Sequence, residues 1–567
     1  MRVAIAQLNP TVGDLQENAQ RIRQAIQRAR DRGADLLLLP EMSLVGYPPL
    51  DLLEQPDFLA AIRRTLQALA PDTEGLVVVL GAPVPNPSEV GKRLLNAAVV
   101  YEGGRIRAVV AKQLLPTYDV FDEYRYFEPG PPSEPIRIGQ WRIGITICED
   151  IWNDDPQAGW WMYARNPVRE LAEQGVDVLL NLSASPFARG KIAQRDALLR
   201  GIASRYEVPV VLANQVGANT DLIFDGSSRV YTPDGRCALA LPAFEEAIGL
   251  WDLKTARVEG HVPPIGDETE QVRRALRLGL RDYARKTGAF ERVWVGMSGG
   301  IDSSLVAALA VEALGPERVV GVSLPSRYSS EASRTDAEQL ARTLGIPFYS
   351  ISIEPAFRAF EHMLAPLFRD TEPGVAEENI QARSRAVVLM ALANKFGDMV
   401  LACGNKSEIA TGYATLYGDM AGGLAPIGDL YKTEVYEMAR HLNQEAGFPL
   451  IPESVFLKAP SAELRPGQKD TDTLPPYEVL DDILKRYLEL HASVEEILDA
   501  GYDPALVQYV LRLVDQNEYK RRQGPPVLRV SPKAFGYGRR FPIVQRWTVQ
   551  RMPLIESRVR PAALTTK

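Results

Sequence analysis

Cysteine and histidine are scarce in this chain. Its 567 residues include only Cys148, Cys237 and Cys403, too few and too widely spaced for a disulfide framework or a zinc site. The four histidines, His261, His362, His441 and His491, fall outside every motif discussed below, so a nucleophile here needs activation by something other than imidazole. No apolar run approaches the roughly 18 residues of a membrane span, and no membrane partner is expected. An excess of positive charge is also missing. The formal net charge of -8 argues against a general nucleic-acid-binding surface. There is no internal repeat and no low-complexity tract. The first ten residues turn polar too quickly for a signal peptide and read as a first strand, so a cytoplasmic location is expected.

At this length one hydrophobic core is not enough, and two or three domains are expected. The first half alternates short buried strands with helices. Apolar residues at Ala19, Ile22, Ala25, Ile26 and Ala29 give residues 14–32 a helical period. Residues 96–112 read as a hairpin turning at Gly103-Gly104. Hairpins mixed with helices imply a helix-sheet-sheet-helix layering over residues 1–255. Residues 256–270, rich in charge, Pro and Gly, read as a linker. A regular alternation of helix and strand then begins and implies a doubly wound parallel sheet in residues 271–567. Residues 461–476 are polar, contain proline and read as a mobile loop.

The string Ser298-Gly299-Gly300-Ile301-Asp302-Ser303-Ser304 sits between an apolar strand and an apolar helix. Its glycines let the backbone fold tightly and turn its N–H groups into one concavity at the positive end of a helix, which suits a phosphate. Ser298, Ser303 and Ser304 add hydroxyl donors. Asp302 would repel a phosphate on its own, so it points to a metal ion between the two. There is no GxxxxGK[ST] string, so this is not a Walker loop. The loop resembles that of the ATP pyrophosphatases, enzymes that split ATP between its α and β phosphates and activate a carboxylate or carbonyl as its adenylate.

In the first half, three strand ends deliver reactive side chains. Glu41 follows one apolar strand, Lys112 another, and Cys148 a third. If they converge, Glu41 can take the thiol proton, Cys148 can attack, and Lys112 can stabilise the oxyanion and help protonate the leaving ammonia. The surrounding strings resemble the nitrilase, or carbon-nitrogen hydrolase, superfamily over roughly the first 250 residues. That resemblance implies an αββα sandwich with Glu41, Lys112 and Cys148 as the catalytic triad and Glu123 as an assisting carboxylate. It also implies Tyr118, Ser185 and Lys191 as glutamine-binding residues. Lys191 stands where some relatives carry arginine, which keeps the charge and loses the bidentate fork.

In the second half, Asn379 and Arg383 lie one turn apart at the start of a helix, and Glu408, Asp419 and Lys432 fall in Gly-rich segments. These strings, in this order, closely resemble the NAD synthetase family. With the nitrilase-like half in front, they resemble its glutamine-dependent branch over nearly the whole chain. The resemblance implies a Rossmann-like, adenine nucleotide alpha hydrolase domain. Residues Ser298, Gly299, Gly300, Ile301, Asp302, Ser303 and Ser304, with Lys432, would hold ATP. Asp302 and Glu408 would hold Mg²⁺. Asn379, Arg383 and Asp419 would meet deamido-NAD, residues 324–326 would border the adenine, and residues 458–470 would close over the site. The implied substrates are glutamine, ATP and deamido-NAD, the implied assembly is a homo-oligomer, and a route for ammonia between two chemistries is expected. A carbon-nitrogen hydrolase with a nucleotide-binding second half, another glutamine-dependent ATP pyrophosphatase and a nucleotide-sensing protein without turnover are the competing readings.

Overall fold

The structure is a computed structural model and describes residues 1–154, 162–261 and 266–547. It divides into two compact units, Met1–Asp282 and Tyr283–Lys567. Among the described residues no helix is long and apolar enough to cross a membrane.

The first unit is an αββα sandwich. One sheet has seven strands, and strands Arg2–Gln7, Leu36–Leu38 and Val77–Pro85 run parallel at its centre. The hairpin Leu94–Glu102 and Arg105–Ala111 forms one edge and turns at Gly103-Gly104, as the sequence predicts. The second sheet has six strands, with Trp141–Ile147, Val178–Ser183 and Val210–Asn214 parallel to one another. Alternating side chains explain the layering. Val3, Ile5, Leu36 and Leu38 of the first sheet meet Ile145, Ile147, Val178 and Leu180 of the second in one buried cluster. On the outer face of the first sheet, Ala4, Leu37 and Val78 pack against Ala19, Ile22 and Ile26 of helix Leu15–Asp31. That helix starts where Asp14 accepts a hydrogen bond from the Glu17 N–H, an ordinary N-cap. Strand Val258–Glu259 and the start of helix Glu268–Thr287 fall within the stretch read as a linker, of which residues 262–265 lie outside the described residues.

In the second unit four parallel strands lie in the order Phe348–Ser350, Val319–Ser323, Val293–Gly296, Met399–Leu401. The strand order reverses at Val293–Gly296, and the loop after it opens helix Ile301–Leu314. This is the crevice at the carboxyl edge where such sheets take ligands. Helix Val375–Phe396 covers one face through Ala393 against Trp294, Val320 and Val400. Helices Tyr477–Leu488 and Pro504–Gln516 bury Leu480, Ile483, Leu484, Val507 and Leu511 in a separate cluster that also takes in Ala410 and Tyr431.

Candidate functional site

In the first unit Glu41, Lys112, Cys148 and Glu123 are all buried, at 0%, 1%, 4% and 4% exposure. Lys112 follows strand Arg105–Ala111 and donates from Nζ to Glu41 Oε1 at 2.8 Å. It also reaches both oxygens of Glu123, at 2.7 and 2.9 Å. Glu41 also accepts from Asn96 Nδ2 at 2.6 Å and from the Ala184 N–H at 3.0 Å. Tyr47 donates to Glu123 at 2.9 Å. Burial by itself disfavours the Lys112 ammonium, but the charges of Glu123 and Glu41 outweigh it and hold its pKa well above the usual lysine range. Burial, opposed by Lys112, pushes Glu123 up to about 7. Cys148 opens a short 3₁₀ turn at the end of strand Trp141–Ile147 with φ of 42°, a strained conformation for a residue with a side chain. Burial, then the charge of Glu41, pushes its thiol well above the ordinary range, so the resting sulfur is protonated and needs a base.

Close backbone approach fixes Glu41 in place. A Cβ on Gly81 would lie 2.5 Å from the Met42 nitrogen and 2.6 Å from the Glu41 Cα, so only glycine lets the neighbouring strand pass. Asp150 ties the lysine loop to the cysteine strand. Its carboxylate accepts from the N–H groups of Gln113, Leu114 and Ile147.

The three residues expected to read glutamine gather less tightly. Tyr118 is partly exposed and donates to both oxygens of Glu149 at 3.0 Å; Tyr163 donates there too. Lys191 opens helix Lys191–Tyr206, with its ammonium 3.6 Å from the centre of the Trp152 ring; burial raises the Glu149 carboxyl, opposed first by Lys112 and last by Lys191. Ser185 is buried and its N–H is held by Asn214. Sequence reasoning missed Asn96, Glu149 and Asp150. Asn96 left a trace as the lone amide in the otherwise apolar run of its strand.

In the second unit the loop at 298–304 is braced by its own hydroxyls. Gly300 N–H and Ser298 Oγ are 3.2 Å apart, and Ser304 Oγ donates to the Gly300 carbonyl at 2.8 Å. Gly299 has φ of 77°, and a Cβ there would sit 2.1 Å from the Ser333 carbonyl oxygen. Ile301 starts the helix, and Ser303 shares hydrogen bonds with Ser298. Lys432 begins helix Lys432–Ala446 and donates to Asp302 Oδ2 at 2.5 Å and Glu408 Oε1 at 3.1 Å. Asn405 caps the Glu408 helix and donates to Asp302 Oδ1 at 2.9 Å. Burial, opposed by Lys432 and reinforced by Asp302, raises the Glu408 carboxyl.

Asn379 and Asp419 meet through Thr415, whose hydroxyl donates to Asn379 and whose N–H donates to Asp419. Arg383 is exposed and donates to the Leu416 carbonyl. Three residues predicted to meet one ligand therefore converge on the segment from Thr415 to Asp419. Lys520, which the sequence did not single out, reaches the carbonyls of Gly412 and Ala414 beside them. The stretch read as a mobile loop carries a short helix at Asp470–Asp472. Just before it, Lys458 donates to the Gly299 carbonyl and to Asp336, and within it Glu463 accepts from Ser330 and Ser333.

Residues 2–260 match the carbon-nitrogen hydrolase family and residues 272–524 match the NAD synthase family. The glutamine-dependent NAD(+) synthetase of a Synechocystis strain is 48% identical over 558 residues, covering 97% of this chain and 99% of the relative. The one from Xanthomonas campestris pv. campestris is 45% identical over 560 residues, covering 97% and 98%. Among solved structures, the Acinetobacter baumannii glutamine-dependent NAD+ synthetase in complex with adenosine diphosphate is 38% identical with a TM-score of 0.74, over 96% of this chain and 99% of that one.

Proposed function

We propose a residue-level division of labour for this chain, which belongs to the family of glutamine-dependent NAD(+) synthetases. The reaction hydrolyses glutamine and uses the ammonia to amidate deamido-NAD through an adenylated intermediate, with ATP going to AMP and pyrophosphate. Residues 1–255 carry the hydrolysis and residues 271–567 the ligation, joined through 256–270. Matches to the two families that end at 260 and resume at 272 support that division.

The observation that carries the two-site reading is a shared device. Each unit buries a lysine between two carboxylates, one set with Cys148 and one at the phosphate loop. In the first, Glu41 takes the Cys148 proton as sulfur attacks the carboxamide carbon. The Lys112 ammonium faces the oxyanion, and ammonia leaves with the proton. Water, deprotonated by Glu41, then cleaves the thioester to glutamate and restores the thiol. Glu123 and Asn96 keep Lys112 and Glu41 aimed. Glu149 with Tyr118, and Lys191 with Ser185, hold the α-ammonium and α-carboxylate of glutamine.

In the second, a nicotinate carboxylate oxygen bonds to the α-phosphorus and pyrophosphate leaves into the loop at 298–304. Ammonia then adds to the acyl carbon, loses a proton and expels AMP. Asp302 and Glu408 suit Mg²⁺, because two hard oxygen donors already converge on one positive charge, the Lys432 ammonium. When bound there, Mg²⁺ would draw charge from the phosphates. Lys432 neutralises phosphate charge as the adenylate forms. Asn379, Arg383 and Asp419 seat the dinucleotide, and residues 458–470 exclude water. Exposed Phe360, Met363, Leu367, Val387 and Phe396 on two helices of this unit support self-association. The cytoplasm is the location we assign. The test is multiple-turnover pyrophosphate release, expected only when ATP, deamido-NAD and a nitrogen source are all present. Release without deamido-NAD would refute the assignment.

A further inference from the structure

We propose that Arg385 grips the α-phosphate of the nucleotide while the adenylate forms, a catalytic contact beyond Asp302, Glu408 and Lys432. This rests on the ATP-dependent reading above. The basis is a guanidinium with no ion pair among the described residues. Arg327 nearby pairs with Glu354 and Glu361, and Arg465 with Glu378 and Asp472, whereas no carboxylate pairs with Arg385 among the described residues. Arg385, half-buried on helix Val375–Phe396, donates among the described residues to the Leu324 carbonyl at 2.9 Å and to Ser326 Oγ at 3.5 Å. Two of its five N–H groups are thereby used, and the other three have no acceptor among the described residues. Burial draws its pKa down to about 10, which still leaves it charged at neutral pH. An uncompensated cation inside a protein is costly unless an anion arrives to meet it.

Its position says which anion. Strands Val293–Gly296 and Val319–Ser323 are parallel neighbours, with Gly296 opposite Val322. The phosphate loop and the 324–326 loop therefore leave the same sheet edge side by side. A nucleotide with its pyrophosphate end in the first loop and its adenosine against the second lays its α-phosphate between them, where Arg385 is tethered. Glu463 of the covering segment and Asp419 of the dinucleotide segment are the charged groups that act on Arg385 from further away. As the carboxylate oxygen bonds to the α-phosphorus and the bond to the bridging oxygen breaks, charge grows on the α-phosphate oxygens. A planar fork of donors matches that charge bidentately.

The test measures ammonia-supported NAD synthesis by the full chain with R385A and R385K alongside the native protein. R385A with unchanged Tm is expected to lose about a hundredfold in kcat with the ATP KM within about threefold, as removal of one preorganised donor does. R385K, or guanidinium added to R385A, is expected to restore part of the rate. Unchanged kcat would overturn the proposal, and so would a loss confined to the KM of ATP. Either outcome would leave Arg385 as a tether for the 324–326 loop. If R385A does not fold, R385K decides alone: a lowered kcat at unchanged KM supports the contact, and native kcat overturns it. A native chain that made no NAD would instead sink the synthetase reading itself.

Discussion

Replacing Lys112 by methionine keeps the length of the side chain and removes its charge. The ammonium makes three hydrogen bonds, to Glu41 at 2.8 Å and to Glu123 at 2.7 and 2.9 Å, and neither carboxylate is exposed to water. Breaking a buried ion pair from one side costs about 3–5 kcal/mol, because the partner charge stays behind. Here two carboxylates stay behind, facing the same Asn96 amide. One of them will take up a proton. The folded pKa of that carboxyl then lies above its unfolded value, so the folded mutant binds more protons than the unfolded chain and its stability falls as pH rises. Native Glu123, already held at about 7, titrates the same way but less far. The deficit of Lys112→Met relative to the native chain should therefore widen by about 1–3 kcal/mol between about pH 6 and about pH 9. At about 2–4 °C per kcal/mol, the first unfolding transition should drop by roughly 6–20 °C. Calorimetry at the two pH values measures both effects, and glutamine-supported NAD synthesis should vanish while ammonia-supported synthesis persists. A deficit independent of pH, or retained use of glutamine, would refute the reasoning.

Gly299→Ala should abolish pyrophosphate release, because the new Cβ has 2.1 Å to the Ser333 carbonyl oxygen at a φ of 77°; normal release from ATP would contradict the loop's role. Asp419 is pushed up to about 6 by burial, so its charge, present above about pH 6, is lost below it. The KM for deamido-NAD should rise as pH falls through that value, and Asp419→Asn should flatten the profile. A native profile in the mutant would remove Asp419 from the dinucleotide site. Glu408→Gln should raise the Mg²⁺ concentration for half-maximal NAD synthesis by at least about tenfold. A curve unchanged from the native one would show that the metal does not use this carboxylate.

The residues proposed to react in the first unit could be picked out because each ends an apolar strand, a pattern of local period. The αββα layering followed from the same strands and from the Gly103-Gly104 hairpin. The residues that aim them were not legible, since contact between distant segments decides them. Asn96 meets Glu41 across 55 positions and Asp150 meets the Leu114 N–H across 36. A similar limit separates two arginines on one helix. The sequence singled out Arg383, which is exposed on the Leu416 carbonyl, while Arg385 two residues on is half-buried against the Leu324 carbonyl. The stretch at 461–476 looked like a mobile loop because it is polar and contains proline. Glu463 bound to Ser330 and Ser333, and Asp470 bound to Tyr477, tie it down through pairs no local pattern reveals.

NAD formation from deamido-NAD, ATP and Mg²⁺, with either glutamine or ammonium chloride, should be compared between the native chain and Cys148→Ala. Two separate sites require the mutant to lose synthesis from glutamine and to keep synthesis from ammonia. Loss of both activities in a folded mutant, or survival of synthesis from glutamine, would contradict that division.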